Sequence, residues 1–349
     1  MGFRPAWTNY HLGSTTDRHY RIRLLAIVRA CWIIIRQPKA FEEVDFLYAR
    51  MIDMAFLAQF AKWWHGLTAP LVYEVEDVQA VFFKTSLAGT FFRWIERKIL
   101  ARTKLLVVMS PGFMRGYFIP IQNYSGPFFV LENKLQLAKP VPSHARAVGS
   151  WQTERNKWII GWNGTLRCAR SMRYLSEIAT ALGDRVEIRT RGYPTETGLG
   201  PYLDLLSKHP NWHFDGEYKI PDDLEGMYGR VHFSWCMDFL DVGGNSELLL
   251  ACRMYQGGYY GAVPLVAAGS EMERFLEPHG IGHSFVEPIA ESVANFLQRL
   301  TFEDYEAERL KVLSLGDKLF LDTGDDVRRL IAAINGRPQE LTGGRHSID

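Results

Sequence analysis

The sequence predicts an α/β protein of two domains, each a parallel sheet wrapped by helices. Three observations carry that expectation. The chain has 349 residues, long for a single core, and 47% of them are hydrophobic, enough to fill two. Short apolar runs alternate with longer helical ones, the rhythm of strands joined by crossover helices. The rhythm lapses once, from Gln136 to Asn156, in a stretch with two prolines and little periodicity, and then restarts.

Taken in order, "VDFLYA" (44–49) reads as a first strand, followed by the apolar helix "MIDMAFLAQFAKWW". "PLVYEVED" is the next strand, "LAGTFFRWIERKILART" a helix, and "KLLVVMS" a third strand. A turn at Pro111-Gly112 opens a short helix, and "GPFFVLEN" closes this half. After the lapse, "KWIIGW" reads as a buried strand ending at Trp162. "NGTLR" is its exit loop, and "CARSMRYLSEIATALG" an amphipathic helix. "RVEIRTRG", "NWHFDGE", "VHFSWC" and "VPLVAA" are further strands, and three helices finish the chain. The expected division is a first domain at 1–140, a linker at 141–156 and a second domain at 157–317. A helix and tail follow at 318–349, the helix packing back on the first domain.

Bulk charge excludes a general nucleic-acid binder, which needs a basic excess: Lys and Arg number 40 against 39 Asp and Glu. Cys31, Cys168, Cys236 and Cys252 show no pairing or metal spacing and read as buried thiols of a reducing, cytoplasmic compartment. The opening "MGFRPAWTNYHLG" does not read as a signal peptide. "LLAIVRACWIII" is broken by Arg29 and closed by Arg36 and Pro38, too short and too charged to span a bilayer. The mixture of basic and apolar residues around it suits two arrangements: a helix lying on an anionic membrane surface, or a basic outer helix packed on a sheet.

In parallel α/β sheets ligands bind beyond the carboxyl ends of the strands, so the loops after strands are the candidates, and a cleft between two such domains is the expected site. Gly164 in "GWNGTLRCARS" allows close backbone approach, and Arg167 and Arg170 flank a helix start, an arrangement that suits a diphosphate. In "GEYKIPDDLEGMYGRVHFSW", Glu217 and Tyr218 are candidates for a base pocket, Pro221 is placed in the first turn of a helix, and the Asp pair reads as a helix cap. "GGNSELLLACRMYQGGYYGAVPLV" reads as one helix, capped by Asn245 or Ser246 and ended by Gly257-Gly258, then a strand. Arg253 and Gln256, three apart, share a face of that helix.

These segments together with "FFRWIERKILARTKLLVVMSPGF" resemble the GT-B glycosyltransferases, specifically family-4-like members of bacterial exopolysaccharide clusters similar to succinoglycan-type transferases. The resemblance runs from about Phe46 to the last helix. It implies two facing Rossmann-like domains, the second binding a nucleotide-sugar donor and the first a glycan or lipid-linked acceptor. It also implies transfer that retains the anomeric configuration, with no cofactor and no bound metal. An inner membrane surface as a partner is suggested only by the basic, aromatic-rich helices of the first domain, such as "VFFKTSLAGTFFRWIERK", a stretch that equally suits the acceptor-side wall or simple core. By the same resemblance Arg167, Gln256 and Asp77 would carry catalysis. Gly164, Thr165, Arg170, Ser171, Glu217, Tyr218, Asn245, Ser246, Arg253 and Tyr255 would bind the donor, and Ser110, Gly112 and Asn133 would line the acceptor side.

The chain departs from the pattern twice. The first domain reads as though its opening βα unit, about forty residues, were missing, which would leave fewer strands and an open sheet edge. Gln256 stands where relatives usually carry a glutamate that holds donor hydroxyls, and an amide is uncharged and also donates. Two alternatives follow: a non-catalytic nucleotide- or glycan-binding partner subunit, or a nucleotide-sugar epimerase. The latter lacks a histidine cluster, since His144, His209, His213, His232 and His279 are scattered.

Overall fold

The structure, a computed structural model, describes residues 8–13, 20–141, 146, 157–195 and 198–336. Two all-parallel sheets carry it. The first holds β1 (Leu47–Arg50), β2 (Leu71–Val75), β3 (Thr103–Val108) and β4 (Phe128–Val130) in the order β1-β2-β3-β4. β2 is buried along its whole length, as a strand covered on both faces must be. On one face lie α1 (Tyr20–Arg36), α2 (Met51–His65) and α3 (Leu87–Leu100). There Leu71, Tyr73, Val75, Leu106 and Val108 meet Ala55, Ile99 and Leu100. α4 (Pro111–Phe113) follows β3 and runs into a wide π turn, Met114–Phe118.

The second sheet holds β5 (Trp158–Thr165), β6 (Val186–Tyr193), β7 (Trp212–Phe214), β8 (Phe233–Trp235), β9 (Val263–Ala267) and β10 (His283–Phe285). Its spatial order is β10-β9-β8-β5-β6-β7, so the direction of winding reverses between β5 and β8. The helices are α5 (Ala169–Leu182), α6 (Leu199–Leu206), α7 (Leu224–Tyr228), α8 (Asn245–Leu248), α9 (Cys252–Tyr259), α10 (Glu271–Leu276), α11 (Ile289–Arg299), α12 (Phe302–Leu319) and α13 (Asp325–Ile334). α13 leaves this domain and lays Leu330 and Ile334 on the second face of the first sheet, against Val72, Leu105, Val107 and Phe129. Lys134 anchors it, donating to Asp326 at 3.2 Å.

The structure corrects several sequence expectations. β5 does not stop at Trp162: Asn163, Gly164 and Thr165 stay in register with Arg191, Gly192 and Tyr193. That pairing needs glycine at both crossing points. A Cβ on Gly192, whose φ is 132°, would lie 1.8 Å from the Gly164 carbonyl oxygen. β10 has only three residues, too few for a period, and was not foreseen. Pro221 follows a cis bond in a turn, and α7 starts three residues later at Leu224. "NSELLLACRMYQGG" is two helices rather than one. Leu249 and Ala251 are extended, and Gly257 and Gly258 lie inside α9 instead of ending it. They are needed for close packing, because Cβ atoms there would press on Ser234 and Phe320 at 2.9 and 2.5 Å. Cys168 and Cys236 are buried, but Cys31 is half-buried and Cys252 is exposed. Most of the expected linker lies outside the described residues, as do His144 and the end of the C-terminal tail.

Candidate active site between the two sheets

The carboxyl ends of both sheets face one another across a cavity of about 450 Å³. The second domain contributes the loops after β5, β7 and β8 and the start of α9. The first contributes the loops after β2, β3 and β4. The reversal between β5 and β8 opens a crevice at those strand ends, and this is where open α/β sheets take ligands.

The structure brings together many of the sequence-chosen residues. Gly164, Thr165, Arg167, Tyr218, Arg253 and Gln256 line the cavity from the second domain, and Asp77, Ser110 and Asn133 from the first. Arg253 is held in place: its Nη2 lies 3.3 Å from the Met237 carbonyl oxygen, 3.4 Å from that of Cys236 and 3.7 Å from Asp238 Oδ2. Gln256, 8% exposed, shares the face of Arg253, and its Oε1 accepts from the Tyr228 hydroxyl at 3.4 Å. Burial holds that phenol well above its ordinary pKa, so it stays protonated and donates. Asp77 has one oxygen engaged by Asn245 Nδ2 at 2.9 Å. Asn133 donates to Cys252 Sγ at 2.9 Å.

The other candidates lie elsewhere, for local reasons. Arg170 is exposed on α5, turned by the helix toward Glu287, so it and Arg167 do not form one anion site. Ser171 is fully buried, its Oγ accepting from Trp235 Nε1 at 3.1 Å beneath β8. Glu217 is exposed and does not line the cavity; its carbonyl oxygen accepts from Arg191 Nη2 at 2.7 Å. Tyr255 lies two residues from Arg253, some 200° around the helix. Its hydroxyl donates to Glu132 at 3.1 Å, away from the cavity.

Neither Asn245 nor Ser246 caps a helix. Asn245 Oδ1 accepts from Val78 N at 3.0 Å while its Nδ2 holds Asp77, a two-ended clamp between domains. Ser246 Oγ donates to Asp238 at 3.2 Å and accepts from Asp241 N at 2.9 Å, fixing the carboxylate beside Arg253. Gly112 is an interdomain contact: a Cβ there would meet the Leu248 carbonyl oxygen at 2.4 Å. Beside it Ser110 Oγ donates to the same carbonyl.

Sequence reasoning missed Asp238, which follows β8 at the winding reversal and lines the cavity with its side chain 11% exposed. Its position one loop beyond a strand end was the available signal. It also missed Glu96, fully buried on α3, whose carboxylate accepts from Tyr73 at 2.8 Å, from Gln122 at 2.5 Å and from Tyr117. Burial raises its pKa. Glu96 lines a small separate void that also touches Asp77. Among the described residues no three His, Cys, Asp or Glu side chains converge as metal ligands.

The fold is that of the GT-B glycosyltransferases. The sucrose-phosphate synthase of Thermosynechococcus elongatus superposes with a TM-score of 0.69 at 14% identity, covering 92% of this chain and 81% of that one. HepE of Anabaena, in complex with UDP, gives 0.66 at 11% identity, covering 92% and 85%. A glycosyltransferase of Rickettsia africae gives 0.63 at 14% identity, covering 93% and 83%. In sequence, the succinoglycan biosynthesis protein ExoL of Rhizobium meliloti is 33% identical over 335 residues, 95% of this chain and 83% of that protein. The chain belongs to this ExoL family of exopolysaccharide biosynthesis proteins. No protein-family model matches it.

Proposed function

We propose that the chain moves a sugar from a nucleotide-sugar donor to a glycan or lipid-linked acceptor in exopolysaccharide assembly, retaining the anomeric configuration and using no metal. The observation that carries this reading is the cavity at the β5–β8 reversal, where Arg167 and the fixed Arg253 add positive charge beside the open backbone of Gly164. As the glycosidic bond breaks, negative charge grows on the departing diphosphate, and prearranged cations favour that state over the bound donor. HepE is described with UDP and with UDP-glucose, which supports a uridine donor.

Asp77, Ser110 and Asn133 form the opposite wall, where the acceptor would enter. A non-catalytic binding role is the second reading, favoured by the amide at Gln256, whose oxygen already accepts from Tyr228. Calorimetric titration with UDP, GDP and dTDP, followed by turnover of the matching nucleotide-sugars with and without chelator, tests both. Absence of binding, or Arg167→Ala without effect, would sink the transferase reading. Tight binding without turnover favours the partner role, and loss of turnover with chelator overturns metal independence.

A further inference from the structure

We infer that Glu76 grips the acceptor: its carboxylate receives hydrogen bonds from the hydroxyls of a neutral sugar at the first-domain wall. This deepens the proposed transfer and rests on its acceptor side. From the first domain the cavity is lined by Glu76, Asp77, Met109, Ser110, Phe113 and Asn133. Three of the polar side chains are turned to the second domain. Asp77 Oδ1 accepts from Asn245 Nδ2 at 2.9 Å, Ser110 Oγ donates to the Leu248 carbonyl, and Asn133 Nδ2 donates to Cys252 Sγ at 2.9 Å. They hold the cleft closed. Glu76 instead makes its contact inside its own domain, where Arg50 Nη2 binds Oε1. Among the described residues no donor reaches Oε2, so one edge of the carboxylate is left for a ligand in the cavity.

The surrounding residues aim this carboxylate. Arg50 ends β1, in register with Glu74 of β2, and its Nε lies 3.9 Å from Glu74 Oε2. Glu74 is buried, so the guanidinium is set between one carboxylate of the core and one that faces the cavity. Met51, the next residue, has a φ of 67°, a left-handed conformation that is strained for a side chain with a Cβ. It turns the chain at once from β1 into α2 while Arg50 stays extended. Strain of this kind persists where the surroundings fix a geometry that has a use. Stability is not that use: the Arg50 side chain is 58% exposed, and exposed ion pairs contribute little. Chemistry then selects the ligand. An ionised carboxylate only accepts, sugar hydroxyls donate, and a charged acceptor makes the stronger bond. A phosphate or an acidic sugar entering here would meet two like charges, Glu76 and Asp77. The two walls thus divide the substrates by charge, Arg167 and Arg253 facing the anionic donor and Glu76 the neutral acceptor.

The test is a saturation-transfer NMR titration of the purified full chain, alone and with UDP, against the neutral cellobiose, lactose and maltose and the anionic methyl glucuronide. At least one neutral disaccharide should bind, and the glucuronide should not. Glu76→Gln should weaken the disaccharide about 3- to 30-fold, the difference between a charged and a neutral acceptor, and relax the exclusion of the glucuronide. Arg50→Ala, which frees the carboxylate without removing it, should weaken the disaccharide as well. Thermal melting unchanged from wild type shows that both variants fold. No disaccharide bound by the wild type, or affinity within twofold of wild type in both variants, overturns the inference. So does a loss in Glu76→Gln confined to UDP-glucose, which would put Glu76 on the donor sugar. Disaccharide binding that depends on Glu76 in a chain that binds no UDP supports this inference and ends the transferase reading. UDP binding beside disaccharide binding indifferent to Glu76 overturns this inference and leaves the transferase reading standing.

Discussion

Gly112→Ala probes whether the closed arrangement of the two domains is the binding-competent one. Gly112 is in the first turn of α4, where its N–H donates to Ser110 Oγ at 3.1 Å. The added methyl would lie 2.4 Å from the Leu248 carbonyl oxygen and 3.0 Å from that residue's carbonyl carbon and Cα. Attractive contact between such atoms begins near ~3.5 Å, so the facing backbone must withdraw by about 1 Å. It cannot do so freely, because the Leu248 side chain is itself wedged against Gly116, within 2.4 Å of where a Cβ would stand. Overpacking of this kind costs about 1–3 kcal/mol. The cost falls on the closed state alone, since neither domain's own core is touched. A nucleotide that needs both walls should therefore bind about 5- to 150-fold more weakly. Calorimetric titration reads the affinity, small-angle scattering the opening, and circular dichroism the retained fold. Affinity within twofold of wild type together with an unchanged scattering profile would refute the reasoning.

Arg167→Ala should lower kcat by roughly 100- to 1000-fold, as loss of one prearranged charge-stabilising group does, with less change in KM; a loss under threefold refutes its role at the diphosphate. Gln256→Glu should tighten nucleotide-sugar binding by about 2- to 30-fold, the difference between charged and neutral hydrogen bonds, and equal or weaker binding in titration counts against contact with donor hydroxyls. His232 is buried, with Nδ1 accepting from Ile159 N at 2.9 Å, and burial pushes its pKa down to about 3. The unfolded chain binds a proton there below about pH 6.5 and the folded chain does not, so stability is full above that value and is lost as pH falls toward 3. Between pH 7 and 5 that group should cost about 2 kcal/mol. Denaturant titrations of His232→Gln should lack this share of the slope, and identical slopes in both proteins would contradict it.

Much of the fold was legible because parallel strands buried on both faces are continuous apolar runs. "LVYEV", "KLLVV" and "WIIGW" needed no partner to be recognised. Boundaries were less legible where tertiary contacts override local preference. Gly257 and Gly258 are ordinary helix-ending residues by propensity, yet Ser234 and Phe320 press on them and the helix continues. The segment 249–251 contains good helix formers, yet it is extended and lines the cavity. Three-residue strands such as β10 leave no period to read.

In the candidate site, the sequence alone determined which loops matter, because the order of strands and helices decides which chain segments leave the carboxyl ends of a sheet. It also paired Arg253 with Gln256, since residues three apart on a helix share a face. Only the tertiary structure decided which side chains in those loops point inward. Arg170, Ser171 and Tyr255 were implied by the resemblance, and helical rotation turns each of them away. Asn245 and Ser246 looked like caps, and instead one clamps the domains while the other holds Asp238. Asp238 itself emerged only when the reversal between β5 and β8 placed it opposite Arg253, because a sheet's winding order depends on pairings between strands that local sequence does not encode.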